Sequence, residues 1–238
     1  MNRKKCAVLR FSRNIRDISP PTYFLCGLAI PSVQKHVDLG ILIDTQLKFH
    51  EHIRETARKA GGLVQNFLKA TVSRSPEFML FLWTTHVRPL IEYGSCVWNT
   101  GYLTDLALLE KVQRKWTKKI SGLEDQSYSE RLRALDLYSV QGRLLRADLI
   151  QYWKVLNGMS CIHPDRLFTP LNLSRTRGHS LKLFHPFVST DVRKRFFSVR
   201  CIHVWNRLPG AVASAPNLSN FKQLLHQSIH NDLFAYTG

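Results

Sequence analysis

The chain has 238 residues, 44% of them hydrophobic, which is enough for one large domain or two small ones with a buried core. Its many aromatic residues and an ordinary 21% of charged residues exclude wholesale disorder. The 34 Lys and Arg against 17 Asp and Glu give a net charge of +17, which favours polyanionic partners. Nucleic acid is the commonest such partner, although an acidic membrane surface or an acidic protein would satisfy the same electrostatics.

The five cysteines lie far apart in the sequence. Zinc knuckles and ribbons need ligands about two to four residues apart, so neither is expected, and a disulfide framework would need more cysteines in a chain of this size. No apolar stretch is long enough for a transmembrane helix, and the basic start is not followed by the apolar run of a signal peptide. We therefore expect an intracellular protein, nuclear or cytoplasmic, without a membrane segment.

Residues 1–45 are expected to be extended or mixed in structure. Residues 39–43 (LGILI) are apolar and partly β-branched, which predicts a buried strand. Asp44 and Thr45 follow it as a turn. Asp38 and Asp44 flank this strand, and a turn or capping role is expected of them rather than metal binding.

From residue 46 to 160 the apolar residues recur at helical spacing, which predicts a helical domain. Gly158 is placed to end the last long helix. The residues placed to cap these helices at their N-termini are Ser75 (followed by Pro76), Thr104, Ser127 (with Glu130 as a capping box) and Ser139.

The helix predicted from Thr104 to about Ile120 has an apolar stripe and a basic face. The stripe consists of Leu106, Leu109, Val112, Trp116 and Ile120. The basic face consists of Lys111, Arg114, Lys115, Lys118 and Lys119, with only Glu110 nearby to offset it. Such a helix lying along a duplex would contact phosphates without reading bases. The alternative is a solvated face whose cations favour the end of the helix dipole.

Residues 161–238 are expected to form a small mixed C-terminal module that ends in an amphipathic helix over residues 217–229. Cations interleave with aromatic residues in its middle: Arg193, Lys194, Arg195, Phe196, Phe197 and Arg200. Arginines beside exposed aromatic rings could stack on unpaired bases. The alternative is that both phenylalanines belong to the core while the arginines snorkel to solvent. The five tryptophans of the chain are expected to pack in its core.

The residues of a catalytic centre are missing from the sequence. Two-metal phosphoryl transfer needs carboxylates close enough to hold two Mg²⁺ ions, and no Asp-Asp pair occurs. Glu124 and Asp125 are the only adjacent acids, and a solvated turn is expected there. The chain also has no HExxH, GxSxG, GxGxxG or phosphate-loop motif. No metal site is therefore predicted.

Eight short strings nevertheless resemble, in the same order, the region after the catalytic palm of non-LTR (LINE-type, jockey-like) retrotransposon reverse transcriptases. They cover nearly the whole chain. The strings are 35–44 (KHVDLGILID), 87–94 (VRPLIEYG), 109–114 (LEKVQR), 128–132 (YSERL), 143–149 (RLLRADL), 175–179 (RTRGH), 204–209 (VWNRLP) and 220–222 (NFK).

The resemblance implies three parts: a remnant of the palm over 1–45, a helical thumb-like domain over 46–160 and a C-terminal module over 161–238. Lys5 matches a palm lysine that lies near the phosphates of the incoming nucleotide. The complete family enzyme uses Mg²⁺, held by aspartates that would precede residue 1. Without this missing N-terminal polymerase portion, we expect no cofactor in this chain, no catalytic residue, and no polymerase activity of the chain alone.

We therefore expect a mainly α fold with a small β portion that binds RNA or RNA–DNA duplex without sequence specificity. The expected contacts are the basic helix face and Arg193, Lys194 and Arg195. The alternatives are an inert helical module that binds a protein, for example an acidic one, and a poorly folded relic of a retroelement.

Overall fold

The computed structural model describes residues 6–11, 21–171 and 178–228. Lys5, the first part of the string 175–179 and the end of the final predicted helix lie outside the described residues. The described part is mainly α with a small β portion, which confirms the expected fold class.

Six short strands precede the helices and pair two by two. Strand β1 (Val8–Leu9) pairs in parallel with β4 (Ser32–Val33), and β2 (Phe24–Leu25) pairs antiparallel with β3 (Leu28–Ala29). Strands β5 (Lys35–Asp38) and β6 (Ile41–Asp44) form an antiparallel hairpin.

This hairpin corrects the strand predicted over residues 39–43. Leu39 and Gly40 form its turn, with φ angles of +45° and +82°. A two-residue hairpin turn whose twist matches the strands needs positive φ at both positions, and glycine supplies one of them without strain. Leu39 is 82% exposed. Its apolar side chain suggested a buried strand at a position where the chain in fact turns. The turn predicted after Asp44 is confirmed.

Twelve α-helices, joined by turns and loops, follow the strands in the described part of the chain. A π-helical turn (Trp83–Val87) lies between α2 and α3, and a short 3₁₀ turn (Pro164–Arg166) follows α7. The helices are α1 (His50–Ala70), α2 (Pro76–Leu82), α3 (Arg88–Glu92), α4 (Ser95–Trp98), α5 (Leu103–Thr117), α6 (Tyr128–Ala134), α7 (Val140–Leu156), α8 (Asp191–Lys194), α9 (Phe197–Arg200), α10 (Ile202–Arg207), α11 (Gly210–Ala213) and α12 (Leu218–Ser228).

Two of the predicted helix caps are confirmed with their hydrogen bonds. The Ser127 hydroxyl accepts from the Glu130 amide while the Glu130 carboxylate accepts from the Ser127 amide, which is a capping box. The Ser139 hydroxyl accepts from the Gly142 amide at 3.0 Å. Gly158, with φ +68°, follows the end of α7 as expected.

The two other predicted caps make no side-chain capping hydrogen bond. Ser75 is the N-cap residue of α2 and Pro76 its first helical residue, as predicted, but the Ser75 side chain does not bond the helix. Thr104 lies inside the first turn of α5 and so cannot cap it, because the helix already begins at Leu103. This helix ends at Thr117 rather than near Ile120, and tighter bonds follow, from the Lys119 amide to Trp116 and from the Ile120 amide to Thr117.

The core consists of two clusters that meet within α7. The first joins β6 and α1–α6 to the start of α7, where Leu144 belongs to it. The second joins the rest of α7, from Leu149 onward, to α9–α12. All five tryptophans are buried, as predicted. Strand β6 thus contributes to the first cluster, and α7 contributes to both.

Candidate nucleic-acid interface

The five basic residues predicted on α5, here called the α5 cations, all have exposed side chains. They are Lys111, Arg114, Lys115, Lys118 and Lys119. The apolar stripe on the other side of the helix is buried at each of its five positions. Lys118 and Lys119 lie just past the end of α5, where exposed carbonyl groups leave a partial negative charge that favours cations.

Glu110 is buried, so its carboxylate does not lie among the exposed α5 cations at the surface. Its carboxylate accepts hydrogen bonds from the Tyr128 hydroxyl and from the backbone amides of Val140 (3.1 Å) and Gln141 (3.3 Å). Burial raises the pKa of Glu110, and these hydrogen bonds oppose that rise. Glu110 therefore holds α5, α6 and α7 together, while its charge still interacts with that of Arg114.

One of the α5 cations has an aromatic neighbour. The guanidinium of Arg114 lies 4.8 Å from the centre of the Tyr128 ring, within the range of a cation–π interaction. Tyr128 is in turn held by Glu110. This contact restricts the Arg114 side chain without burying it.

A groove between α1 and α5 adds two cations to the interface. The two helices run in the same direction, because His50 meets Asp105 near their starts and Phe67 meets Trp116 near their ends. The groove has a volume of about 340 Å³ and an apolar floor. Two cations flank it on each side: Arg54 and Arg58 from α1, Lys111 and Lys115 from α5. We call this feature the basic groove.

The sequence prediction missed Arg54 and Arg58 because they lie on a different helix from the α5 cations. Their four-residue spacing places them on one face of α1, which was the available signal. Arg58 forms an ion pair with Glu55, but both side chains are largely exposed. Exposed pairs of this kind contribute little to stability.

The second predicted cluster, around α8 and α9, is arranged differently. Arg193 and Lys194 are exposed, whereas Arg195 is half-buried and lies 3.7 Å from the centre of the Tyr102 ring. Arg195 also donates to the carbonyl of Thr100 at 2.9 Å. The Arg195 guanidinium is therefore engaged in contacts within the protein, with the Tyr102 ring and the Thr100 carbonyl.

The two phenylalanines of this cluster divide between core and surface. Phe197 is buried, as the packing alternative predicted, while Phe196 is 46% exposed. The guanidinium of Arg193 lies 5.1 Å from the centre of the Phe196 ring. Only this one arginine and one ring remain as a stacking platform in the described part of the cluster.

Arg200, the last cation of the cluster, is part of a buried ion pair. Its guanidinium donates to Asp148 of α7 twice, at 2.6 and 2.9 Å, and to the carbonyl of Cys96 in α4 at 3.1 Å. Asp148 is 1% exposed and also accepts from the Asn99 side chain. This pair therefore joins α4, α7 and α9.

Several of the strings that carry the family resemblance contact one another in space. The Tyr93 hydroxyl, in the string 87–94, donates to the carbonyl of Leu39 in the string 35–44. A Cβ on Gly94 would lie 2.6 Å from Ile41 of the hairpin, so the close packing needs glycine there. The His179 ring likewise bonds the carbonyl of Trp205. These strings therefore fix the packing of distant segments.

The acidic residues that could have held a metal have other roles. Asp44 accepts from the amides of Gln46 (2.8 Å) and Phe49 (2.9 Å), as expected of a turn residue. Glu124 and Asp125 lie in an exposed turn. Over residues 6–11, 21–171 and 178–228, no three His, Cys, Asp or Glu side chains come together as metal ligands.

Comparisons with known proteins add one distant relative. An uncharacterized protein of Caenorhabditis elegans is 25% identical over 124 residues, which cover 51% of this chain and 63% of that protein. The chain therefore matches less than two thirds of the relative's length. No family profile matches the chain. No solved structure matches it either.

None of the described helices combines the length and the apolar character needed to cross a bilayer.

Proposed function

We propose that this chain binds RNA or RNA–DNA duplex through phosphates, along the basic groove and the other α5 cations, as part of a polymerase that resembles non-LTR reverse transcriptases. The observation that carries the proposal is the exposure of all five α5 cations while Glu110 is buried. Arg54 and Arg58 extend the same surface. We propose binding rather than polymerisation, because the sequence has no Asp-Asp pair.

The chemistry of such binding is electrostatic. Each phosphate neutralised by Lys or Arg releases condensed counterions, so affinity comes from charge and spacing rather than from base identity. The elongated groove between two helices suits a phosphate backbone that runs along it. We expect no sequence preference, and we place this activity inside the cell, in the nucleus or the cytoplasm.

The test compares two variants with the same net charge. One replaces all five α5 cations by Gln. The control replaces five exposed cations elsewhere by Gln: Lys48, Lys69, Arg133, Arg207 and Lys222. Fluorescence anisotropy with a labelled RNA–DNA duplex should show near-complete loss of affinity in the first variant and a modest loss in the second, while circular dichroism shows both folded. Equal losses in the two variants would refute a localised interface.

A second candidate function, binding of an acidic protein segment, is favoured by an apolar groove of about 450 Å³. Val97, Ile162 and Phe196 line it with exposed side chains, and Arg193 and Lys194 stand in the sequence between two further lining residues, Val192 and Arg195. The occupant we infer is an amphipathic segment with apolar residues on one face and acidic residues on the other. If this second function is correct, the double substitution Val97→Gln with Phe196→Gln should abolish binding of an acidic amphipathic peptide and leave duplex affinity unchanged.

A further inference from the structure

A small polar pocket lies on the side of α5 opposite the basic groove. Three arginines line it, Arg88 from α3 and Arg143 and Arg146 from α7, and its volume is about 210 Å³. Gln113 of α5 and the ring of Tyr138 complete the walls, together with Trp83, Leu137 and Asp136. Arg88, Gln113, Arg143 and Arg146 come from three different strings of the family resemblance. The fold thus brings together cations that are far apart in the sequence.

The positive charge of the pocket is only partly neutralised within the protein. Glu92 accepts two hydrogen bonds from Arg143, at 2.7 and 2.9 Å, in a bidentate pair. Arg88 lies 4.0 Å from the same carboxylate. The Nε of Arg146 is buried and has no hydrogen-bond partner. Burial first, and then repulsion from Arg143, lowers the pKa of both Arg88 and Arg146.

Contacts within the protein hold these arginines in position but neutralise only part of their positive charge. The Arg143 and Arg146 guanidinium groups lie 5.8 and 6.0 Å from the centre of the Tyr138 ring, which holds them near each other. Asp136 is exposed and is the one acid among the residues described as lining the pocket. Three arginines thus lie near two acids, Glu92 and Asp136, which leaves a net positive charge for an oxyanion to neutralise.

We propose that this pocket binds a phosphate group. Guanidinium groups donate parallel pairs of hydrogen bonds to phosphate oxygens, and Arg88 from α3 and Arg143 and Arg146 from α7 line the pocket with such groups. Pockets for drug-sized ligands are usually about 300–1,000 Å³, so this smaller pocket fits a compact anion better than a base. The phosphate can be a free anion or the terminal phosphate of a nucleic acid.

The phosphate pocket is independent of the basic groove. Gln113 of α5 is buried and faces the pocket, whereas Lys111 and Lys115 of the same helix are exposed and face the groove. Duplex binding along the groove and phosphate binding in the pocket can therefore fail separately.

The test titrates the full chain with inorganic phosphate and with chloride at matched ionic strength, and follows the thermal unfolding midpoint. We expect phosphate to raise the midpoint above the chloride value, since a ligand of the native state stabilises it. Arg88→Gln and Arg146→Gln should each weaken phosphate binding by about tenfold or more. Arg146→Lys should restore part of the loss. Lys111→Gln with Lys115→Gln, the matched groove control, should keep the full phosphate effect.

Two results would overturn the proposal: no phosphate-specific shift in the wild-type chain, or the same shift in wild type, Arg88→Gln and Arg146→Gln. The wild-type titration decides the first even if a variant fails to fold. A second arm compares 5′-phosphorylated and 5′-hydroxyl oligonucleotides of one sequence. A preference for the phosphorylated form that is lost in Arg146→Gln identifies a nucleic-acid end as the ligand, and equal affinity beside a phosphate-specific shift identifies the free anion.

Discussion

The α5 cations and the cluster around α8 and α9 look alike in the sequence, but the fold uses them differently. All five α5 cations face solvent. In the second cluster, Arg195 lies on the ring of Tyr102 and Arg200 forms a buried pair with Asp148. Clustered positive charge in a sequence therefore does not by itself show which of its side chains stay exposed. Here the internal acceptors come from residues about fifty to a hundred positions away.

The largest effect expected from this difference is on the stability of the second cluster. Arg200→Ala leaves the buried Asp148 carboxylate without its cation, and removing one partner of such a pair costs about 3–5 kcal/mol. We expect urea denaturation to show that loss in the free energy of unfolding. Lys119→Ala, the matched change among the α5 cations, should stay within about 0.5 kcal/mol of wild type. Equal losses would contradict the distinction between the clusters.

A smaller loss is expected at Arg195. Arg195→Ala removes its contact with Tyr102 and its hydrogen bond to Thr100, which should cost about 1–2 kcal/mol. Its neighbour Lys194 is exposed, so Lys194→Ala should leave the free energy of unfolding nearly unchanged. The same urea titrations measure both. If Lys194→Ala proves the more damaging, Arg195 is not the anchor of this segment.

The smallest expected effect concerns thiols near the buried pair. Burial first, and then the charge of Asp148, raises the pKa of Cys96 to about 12 and that of Cys201 well above its ordinary value. Cys26 and Cys161 are exposed. A maleimide reagent at pH 8 should therefore label Cys26 and Cys161 in the native protein well before Cys201, as mass spectrometry can measure. Labelling of Cys201 at the same rate would show that this region is open.

The same pKa shifts fix the direction of a pH effect. Between the ordinary thiol pKa of 9.0 and the raised value of Cys96, about 12, the unfolded chain loses its proton before the folded one. The free energy of unfolding should therefore fall as the pH rises through this range. Cys96→Ala should reduce that fall in urea titrations at pH 8, 9 and 10. An unchanged pH dependence in this variant would exclude Cys96 as its source.

Local signals in the sequence predicted much of the fold. The Ser127 capping box, the Ser139 cap and the buried tryptophans all follow from short-range patterns, which need only helical periodicity and side-chain chemistry. The strand predicted through Leu39 was wrong, because nothing in the neighbouring sequence indicates that an apolar residue will adopt a positive φ. The cap predicted at Thr104 was wrong because the helix already begins at Leu103, and an N-cap residue must precede the first turn.

The candidate site was less predictable than the fold, since its character depends on long-range contacts. The periodicity of α5 was enough to place its cations on one face. It could not place Glu110, whose burial depends on Tyr128 and on the backbone at residues 140 and 141. The periodicity of α5 also could not show that Arg54 and Arg58 lie near Lys111, since this depends on the packing of α1 against α5.

The most direct test of the proposed interface is the salt dependence of duplex binding. The logarithm of the association constant should fall linearly with the logarithm of salt concentration, with a slope of about −0.9 for each phosphate contact. We predict a steep slope for the wild-type chain that becomes about one unit shallower for each contacting α5 cation replaced by Gln. The five-residue control variant should keep the wild-type slope. Binding without salt dependence, or an equal change of slope in both variants, would contradict phosphate binding at this surface.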